Sequence, residues 1–150
     1  MSKILSSRPV IDYLLDSLEN DICDVEEISR LIGNIHDKDI NKKDRNDSTI
    51  LILAVRKRLL DIVKLLLENI CIDVNIQDNN GFTALIWATL LKLPDIVRLL
   101  LQNTYIDVNL RDNDGCTALG YASRNNYTEI ISILRSHRFI YGIYTRRCDY

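Results

Sequence analysis

The chain has 150 residues, of which 47% are hydrophobic and 27% charged, and its formal net charge is −2. This composition is typical of one soluble globular domain and excludes a disordered or collagen-like chain. The near-neutral charge argues against a uniformly basic nucleic-acid-binding domain. No apolar run approaches the ~20 residues of a membrane span, and residues 1–9 lack the apolar stretch of a secretory signal. We therefore expect a cytoplasmic protein, with delivery into a host cell as the alternative if the source is a parasite or a symbiont.

The cysteines and histidines, which often form metal or catalytic sites, are scattered along the chain. The four cysteines are Cys23, Cys71, Cys116 and Cys148. They form no C-x-x-C pair and no Cys/His cluster, which argues against a zinc site and a disulfide framework. His36 and His137 are isolated, and no Gly-rich phosphate-binding loop is present. We expect no metal, no cofactor and no catalytic residues, and hence a protein that is not an enzyme.

The N-terminal segment predicts two helices. The first covers Pro9 to Glu19, and Asp24-Val25-Glu26-Glu27 resembles a capping box that opens a second helix ending near Gly33. Within it, residues 27–32 fall 34 positions before the similar stretch at residues 61–66. Residues 9–43 are therefore interpreted as a degenerate first copy of a repeated unit, with the polar outer surface that the end of a solenoid requires.

Three short motifs recur with one period of 34 residues. They are Asp39-Ile40-Asn41, Asp73-Val74-Asn75 and Asp107-Val108-Asn109; Thr49-Ile50-Leu51, Thr83-Ala84-Leu85 and Thr117-Ala118-Leu119; and Asp61-Ile62-Val63, Asp95-Ile96-Val97 and Glu129-Ile130-Ile131. Because all three keep the same period and phase, the pattern indicates tandem copies of one structural unit.

Each unit predicts a turn, a short helix, a second turn and a longer helix. In residues 78–111, Asp78-Asn79-Asn80-Gly81 has turn chemistry, Thr83 suits a helix N-cap, and Pro94 suits the first turn of the second helix. One helix pair cannot bury its apolar face alone, so we expect an all-α solenoid of four stacked pairs between Pro9 and Ser136. Six equivalent residues should be buried in it: Leu51, Leu85, Leu119, Ile62, Ile96 and Ile130.

The combined pattern resembles the ankyrin repeat, which reads roughly D-x-x-G-x-T-P-L-H-x-A, then an I-V-x-L-L-L helix, then D-V-N. The resemblance covers about Asp39 to Leu134. It implies a single domain, an ankyrin-repeat solenoid of helix-turn-helix units with short β-turn or hairpin connections. Its repeats are 44–77, 78–111 and 112–136, after the degenerate copy at 9–43, and residues 137–150 form a C-terminal cap or tail.

The sequence departs from the family pattern in each repeat. The Pro and His that follow the Thr are absent, and the Gly between the two helices is replaced by Arg58, Lys92 and Asn126. A left-handed Arg or Lys costs on the order of 1 kcal/mol, so these turns are expected either to relax or to carry strain. Residues 70–72 and 104–106 replace the Gly-Ala before D-V-N, and the added residue accounts for a period of 34.

The resemblance implies a protein–protein interaction module: a monomeric adaptor, scaffold or inhibitor that binds an unknown partner protein on a concave face. The family's concave positions lie at the turn tips and at the ends of the first helices. Transferred by position, they are Arg45, Asn46, Ser48, Arg56, Lys57, Asn79, Asn80, Phe82, Leu90, Leu91, Asn113, Asp114, Cys116, Arg124 and Asn125. The centre of this set is apolar and its flanks are basic, as in many protein interfaces: Phe82, Leu90 and Leu91, flanked by Arg56, Lys57 and Arg124.

Several of these assignments have a structural alternative. For the apolar patch it is that Leu90 or Leu91 packs into the next repeat, or that the C-terminal tail covers the patch. For the charge run Arg56-Lys57-Arg58 it is a solvated helix end. Trp87 and Tyr121 occupy the same repeat position, which favours packing between repeats over a ligand site.

The C-terminal segment supports a second hypothesis. Residues 135–147 combine four arginines with aromatic residues, a composition compatible with RNA or anionic lipid. The alternative function is therefore tail-mediated nucleic-acid or membrane association, with the solenoid as scaffold. We favour a cap in which Phe139, Ile140 and Tyr141 cover the apolar edge of the last repeat, so that nucleic acid and membrane are not the expected partners.

Overall fold

A computed structural model describes the backbone of residues 10–20, 25–33, 35 and 39–145, and their side chains as far as residue 137. These residues form eight helices: α1 (Val10–Glu19), α2 (Val25–Ile32), α3 (Ile50–Arg56), α4 (Leu60–Leu67), α5 (Ala84–Leu90), α6 (Pro94–Leu100), α7 (Ala118–Arg124) and α8 (Thr128–Thr145). Within this part of the chain the only β pairing is an isolated antiparallel bridge between Lys43 and Thr49.

The helices pair in chain order, and the four pairs stack on one another. Helices α1, α3, α5 and α7 pack side by side in one row, and α2, α4, α6 and α8 pack in a second row. Each helix of the first row also contacts its successor in the second. The predicted all-α solenoid of helix-turn-helix units is therefore confirmed.

The starts of α3 to α8 keep the 34-residue period, and the main departures from it lie at the two ends of the stack. Helices α3, α5 and α7 begin at Ile50, Ala84 and Ala118, as the repeated motifs predict. Helix α1 ends at Glu19, whereas an in-phase copy of α3 would end at residue 22. At the other end, α8 continues without a break past Ser136, where we expected the last repeat to stop, to Thr145.

The recurring threonines start the first helix of each repeat. The Oγ1 atoms of Thr49, Thr83 and Thr117 accept hydrogen bonds from the backbone N–H three residues later, at 3.3, 3.2 and 3.1 Å. These bonds satisfy one of the N–H groups that the first turn of a helix leaves without a partner. The predicted N-caps are therefore correct.

The residues that replace glycine between the helices adopt the left-handed conformation. Arg58, Lys92 and Asn126 have φ values of 61°, 56° and 56°. At Arg58 the chain closes a Schellman motif, in which Leu59 N–H donates to Ala54 O at 3.0 Å and Arg58 N–H donates to Val55 O at 2.9 Å. We expected these turns either to relax or to carry strain. They keep the left-handed conformation and therefore carry its steric strain.

The asparagines of the first two Asp-x-Asn motifs, Asn41 and Asn75, each join one repeat to the next. Asn41 Oδ1 accepts a hydrogen bond from Asp73 N–H at 2.8 Å, and its Nδ2 donates to Cys71 O at 2.7 Å. Asn75 makes the same two bonds to Asp107 and Tyr105, both at 2.8 Å. This bridging role explains why the motif recurs with the period of the stack.

Five of the six residues predicted to be equivalent core positions are buried, and Leu119 is the exception. It is half-buried, whereas its counterpart Leu85 is 2% exposed. The reason is positional: α5 packs between α3 and α7, while α7 packs mainly against α5 and α8. The open side of α7 leaves a cavity of about 250 Å³, lined in part by Leu119, Val108 and Leu134.

Candidate protein-binding surface

The turn tip of repeat 78–111 is organised by the buried carboxylate of Asp78. Its Oδ1 accepts hydrogen bonds from the backbone N–H groups of Asn80 and Phe82, both at 2.9 Å. Its Oδ2 accepts a hydrogen bond from the indole Nε1–H of Trp87 at 2.8 Å. One carboxylate therefore fixes both the turn that carries Phe82 and the ring of Trp87 on α5.

Repeat 112–136 has the same arrangement with a different aromatic donor. Asp112 Oδ1 accepts from the backbone N–H groups of Asp114 and Cys116 at 3.0 and 2.8 Å. Its Oδ2 accepts from the Tyr121 hydroxyl at 2.5 Å. The side chain nine positions after the turn aspartate is thus held in place in both repeats.

The hydrogen bond between Tyr121 and Asp112 shifts the pKa of both groups. Burial opposes ionisation of Asp112, but the hydrogen bonds from Tyr121 and from two backbone N–H groups outweigh it, so the pKa of Asp112 lies below its ordinary value. The same bond, assisted by burial, raises the pKa of Tyr121 to about 12. At neutral pH the pair is therefore a carboxylate and a neutral phenol.

Repeat 44–77 lacks the aromatic donor. Asp44 Oδ1 still accepts from the backbone N–H groups of Asn46 and Ser48, at 2.7 and 2.8 Å. The residue nine positions later is Leu53, which has no polar group to donate. Asp44 Oδ2 is consequently buried without a hydrogen-bond partner among the described residues.

Three aromatic rings form a continuous cluster that spans two repeats. The ring of Phe82 packs edge-to-face against Trp87, with centroids 5.1 Å apart and planes at 89°. The same ring packs edge-to-face against Tyr121 of the next repeat, at 6.1 Å and 86°. We call Phe82, Trp87 and Tyr121 the aromatic cluster; all three are half-buried, so part of each ring faces solvent.

Two exposed arginines lie at the two ends of the aromatic cluster. The Arg56 guanidinium carbon lies 5.0 Å from the centroid of the Trp87 ring. That of Arg124 lies 5.8 Å from the centroid of the Tyr121 ring, and Arg124 Nη2 also donates to Cys116 Sγ at 3.4 Å. These distances are within the range of cation–π attraction. The resulting order is arginine, three aromatic rings, arginine, and it crosses three repeats.

The turn tips are linked to one another by hydrogen bonds. Asn79 N–H donates to Asn46 O at 3.1 Å, and Asn113 N–H donates to Asn80 O at 3.2 Å. Gly81 allows this close approach, because a Cβ at that position would lie 2.7 Å from Asn113 N. The tips therefore present a connected edge beside the aromatic cluster.

We call the fifteen residues selected from the sequence the candidate surface, and most of them are accessible. Eight are exposed: Arg45, Arg56, Asn79, Asn80, Asn113, Asp114, Arg124 and Asn125. Six are half-buried: Asn46, Lys57, Phe82, Leu90, Leu91 and Cys116. The structure brings Phe82, Arg56 and Arg124 together around the aromatic cluster, whereas Arg45 and Asn46 lie at the first turn tip.

Ser48 is a correction to the predicted set. It is 1% exposed and cannot contact a partner in this conformation. It occupies the repeat position of Phe82, but its short side chain does not extend to the surface. Arg45 remains exposed, but its guanidinium is already engaged by Glu19 at 3.0 Å, and Asn46 Nδ2 donates to the same carboxylate at 3.0 Å.

The apolar part of the candidate surface includes two aromatic rings that the sequence interpretation assigned to packing. Leu90 and Leu91 are half-buried, and Leu90 packs against the hydrophobic core, as do Phe82, Trp87 and Tyr121. Trp87 and Tyr121 do pack between repeats, yet they also expose part of their rings, which the sequence interpretation missed. The sequence did contain a signal for these contacts. In two repeats an aromatic residue with a hydrogen-bond donor follows the turn aspartate by nine positions.

The capped, stacked helix pairs and the linked turn tips define an α-helical repeat protein. A family model described as ankyrin repeats (3 copies) matches residues 19–112 and, in a second match, residues 73–143. The chain therefore belongs to the ankyrin-repeat family, whose members are generally protein–protein interaction modules and typically not enzymes. A search of the curated proteins found no match.

Neither a membrane span nor a metal site is found in the part of the chain that the structure describes. No helix there combines the length and the apolar character needed to cross a membrane. No three His, Cys, Asp or Glu side chains there are grouped to hold a metal ion. Cys71 and Cys116 are free thiols. Several features discussed above lie outside the described residues: Pro9, Cys23, Asp24 of the predicted capping box, His36, Cys148 and the tail side chains after His137.

Proposed function

We propose that this protein is an adaptor, scaffold or inhibitor that binds one partner protein through the candidate surface. The observation that carries the proposal is the aromatic cluster: three partly exposed rings, two of them held by hydrogen bonds to buried aspartates, with an arginine at each end. Tyr, Trp and Arg are the residues most often found at the energetic centres of interfaces. Here they meet on one face of a repeat protein.

Preorganisation supports this function. Binding is weakened by the entropy lost when mobile side chains become ordered. The ring of Trp87 is already fixed by Asp78, and that of Tyr121 by Asp112. A partner that packs on these rings therefore finds them in the bound arrangement.

The test begins with the immobilised full-length chain, used to capture proteins from an extract of the source cells. The captured protein is identified by mass spectrometry, produced in pure form and mixed with the chain. Backbone hydrogen exchange is then compared with and without the partner. We expect slower exchange at the turn tips 79–82 and 113–116. Unchanged exchange there, with protection confined to residues 137–150, would reject the proposal in favour of binding through the C-terminal segment.

We further propose that the protein acts as a monomer in the cytoplasm. The free thiols Cys71, which is exposed, and Cys116, which is half-buried, suit a reducing compartment. Light scattering on the purified chain tests the monomer. A dimer mass that persists on dilution would contradict it.

A further inference from the structure

The candidate surface has a charge opposite in sign to that of the whole chain. Among its fifteen residues are four cations, Arg45, Arg56, Lys57 and Arg124, and one acid, Asp114. The complete chain carries a net charge of −2. The proposed binding surface thus carries more cations than acids, and the carboxylates of Asp78 and Asp112 beneath it are buried and accept hydrogen bonds.

The arginines beside the aromatic cluster differ from the basic residues of the outer helices. On the outer helices, Lys64 pairs with Asp61 at 3.3 Å, and Arg98 pairs with Glu129 at 2.8 Å. By contrast, neither Arg56 nor Arg124 forms an ion pair with a carboxylate of the described residues. Each lies over an aromatic ring.

A guanidinium that lies over a ring and has no carboxylate partner is prepared to bind one. The planar group carries N–H donors in the fork that matches two carboxylate oxygens. In Arg124 one of these donors, on Nη2, also contacts Cys116 Sγ at 3.4 Å. The flanking ring also restricts the motion of the side chain, which lowers the entropy lost on binding. Arg56 and Arg124 therefore offer two such positions, with Phe82 between them.

We propose that the partner segment recognised by this surface carries an apolar side chain flanked by acidic residues. The apolar side chain packs on Phe82, and the carboxylates bind Arg56 and Arg124. This inference rests on the proposed function and specifies the chemistry of the partner. A nucleic acid is the less suitable occupant, because Asp114 is exposed at the adjacent tip and phosphate backbones are bound by extended rows of cations.

The experiment uses a displayed library of random peptides of about a dozen residues, selected against the full-length chain. We expect enrichment of peptides with Asp or Glu on both sides of a Leu, Ile, Phe or Trp. A synthetic peptide of the enriched sequence should bind about tenfold or more weakly to the double variant Arg56→Gln, Arg124→Gln. The matched control is Arg98→Gln on the outer face, which should bind the peptide like the unmodified chain.

The outcomes separate this inference from the proposed function. Enriched peptides without acidic residues that still lose binding in Phe82→Ala would overturn the acidic partner and leave the proposed surface in place. Peptides that bind Phe82→Ala and the double arginine variant as well as the unmodified chain would overturn both. No enrichment at all, or preferential binding of single-stranded oligonucleotides lost in the arginine variant, would also overturn the acidic partner.

Discussion

Tyr121 donates its hydroxyl hydrogen bond to Oδ2 of Asp112, the carboxylate that organises the turn of the same repeat. The bond joins a half-buried ring of the candidate surface to a buried acid beneath it. A side chain of the proposed binding surface is therefore held by a buried carboxylate of the fold. This connection makes the pair a suitable starting point for mutagenesis.

Replacing Tyr121 by Phe should lower the stability of the protein. The substitution keeps the ring but leaves Asp112 Oδ2 buried without this donor, which typically costs about 1–3 kcal/mol. The measurement is the free energy of unfolding from urea titrations. The matched control is Tyr105→Phe, because Tyr105 is 83% exposed in a loop and its hydroxyl should contribute little. Equal effects of the two substitutions would argue against a stabilising Tyr121–Asp112 bond.

The stabilisation lost in Tyr121→Phe should depend on pH. The pKa of Asp112 is lowered in the folded state, so its contribution is present above the unfolded value of about 3.9 and is lost as the pH falls further. The pKa of Tyr121 is raised to about 12, so its contribution is complete below the unfolded value of about 10 and is lost as the pH rises towards 12.

The difference in unfolding free energy between the unmodified chain and Tyr121→Phe is therefore expected to be largest between about pH 4 and pH 10. Urea titrations of both proteins across this range and beyond each end provide the measurement. A difference that stays constant into strong acid and strong base would show that the titration of this pair does not contribute to stability.

Asp78 and Asp44 should respond differently to the same substitution. In Asp78→Asn the new Nδ2 meets the Trp87 Nε1–H donor, and two donors cannot form a hydrogen bond. In Asp44→Asn no such conflict arises, because Asp44 Oδ2 accepts no bond from the described residues. We expect Asp78→Asn to cost about 1–3 kcal/mol more than Asp44→Asn, measured by urea unfolding. Equal losses would mean that the indole bond is not stabilising.

Arg58→Gly should stabilise the protein. Arg58 has a φ of 61°, and glycine removes the steric cost of that conformation, about 1 kcal/mol. The control is Lys57→Gly, since Lys57 has a φ of −83° and gains nothing from glycine there. Unfolding free energies of both variants give the answer. A loss of stability in Arg58→Gly as large as that in Lys57→Gly would exclude strain at this turn.

The parts of the fold that could be predicted are those encoded in local motifs. Thr49, Thr83 and Thr117 mark the starts of α3, α5 and α7, because a threonine cap acts on its own helix. The first helix was predicted from its own residues to end at Glu19, where α1 does end, although residues 1–20 contain no threonine and hence no copy of that motif. By contrast, the half-buried Leu119 depends on which helices cover α7, and no repeat motif carries that information.

The positions that make up the candidate surface could be selected from the sequence, but the contacts between their side chains could not. Transfer from the family pattern identified Phe82, Arg56 and Arg124, and it also included Ser48, which is buried. The bond from Trp87 to Asp78 depends on which side of α5 faces the turn tip. Transfer from the family pattern treats each position separately and assigns it either to packing or to the surface. It therefore does not show that one side chain can both pack between repeats and face solvent.

The most direct test of the central claim is the dissociation constant of the purified partner for Phe82→Ala and Tyr105→Ala, each compared with the unmodified chain. Phe82 lies at the middle of the aromatic cluster, whereas Tyr105 is a large exposed residue of an inter-repeat loop. With both variants shown to be folded by thermal melting, Phe82→Ala should weaken binding by about 2 kcal/mol, or roughly thirtyfold. Tyr105→Ala should leave the dissociation constant unchanged. Unaltered binding by Phe82→Ala together with weakened binding by Tyr105→Ala would contradict the account.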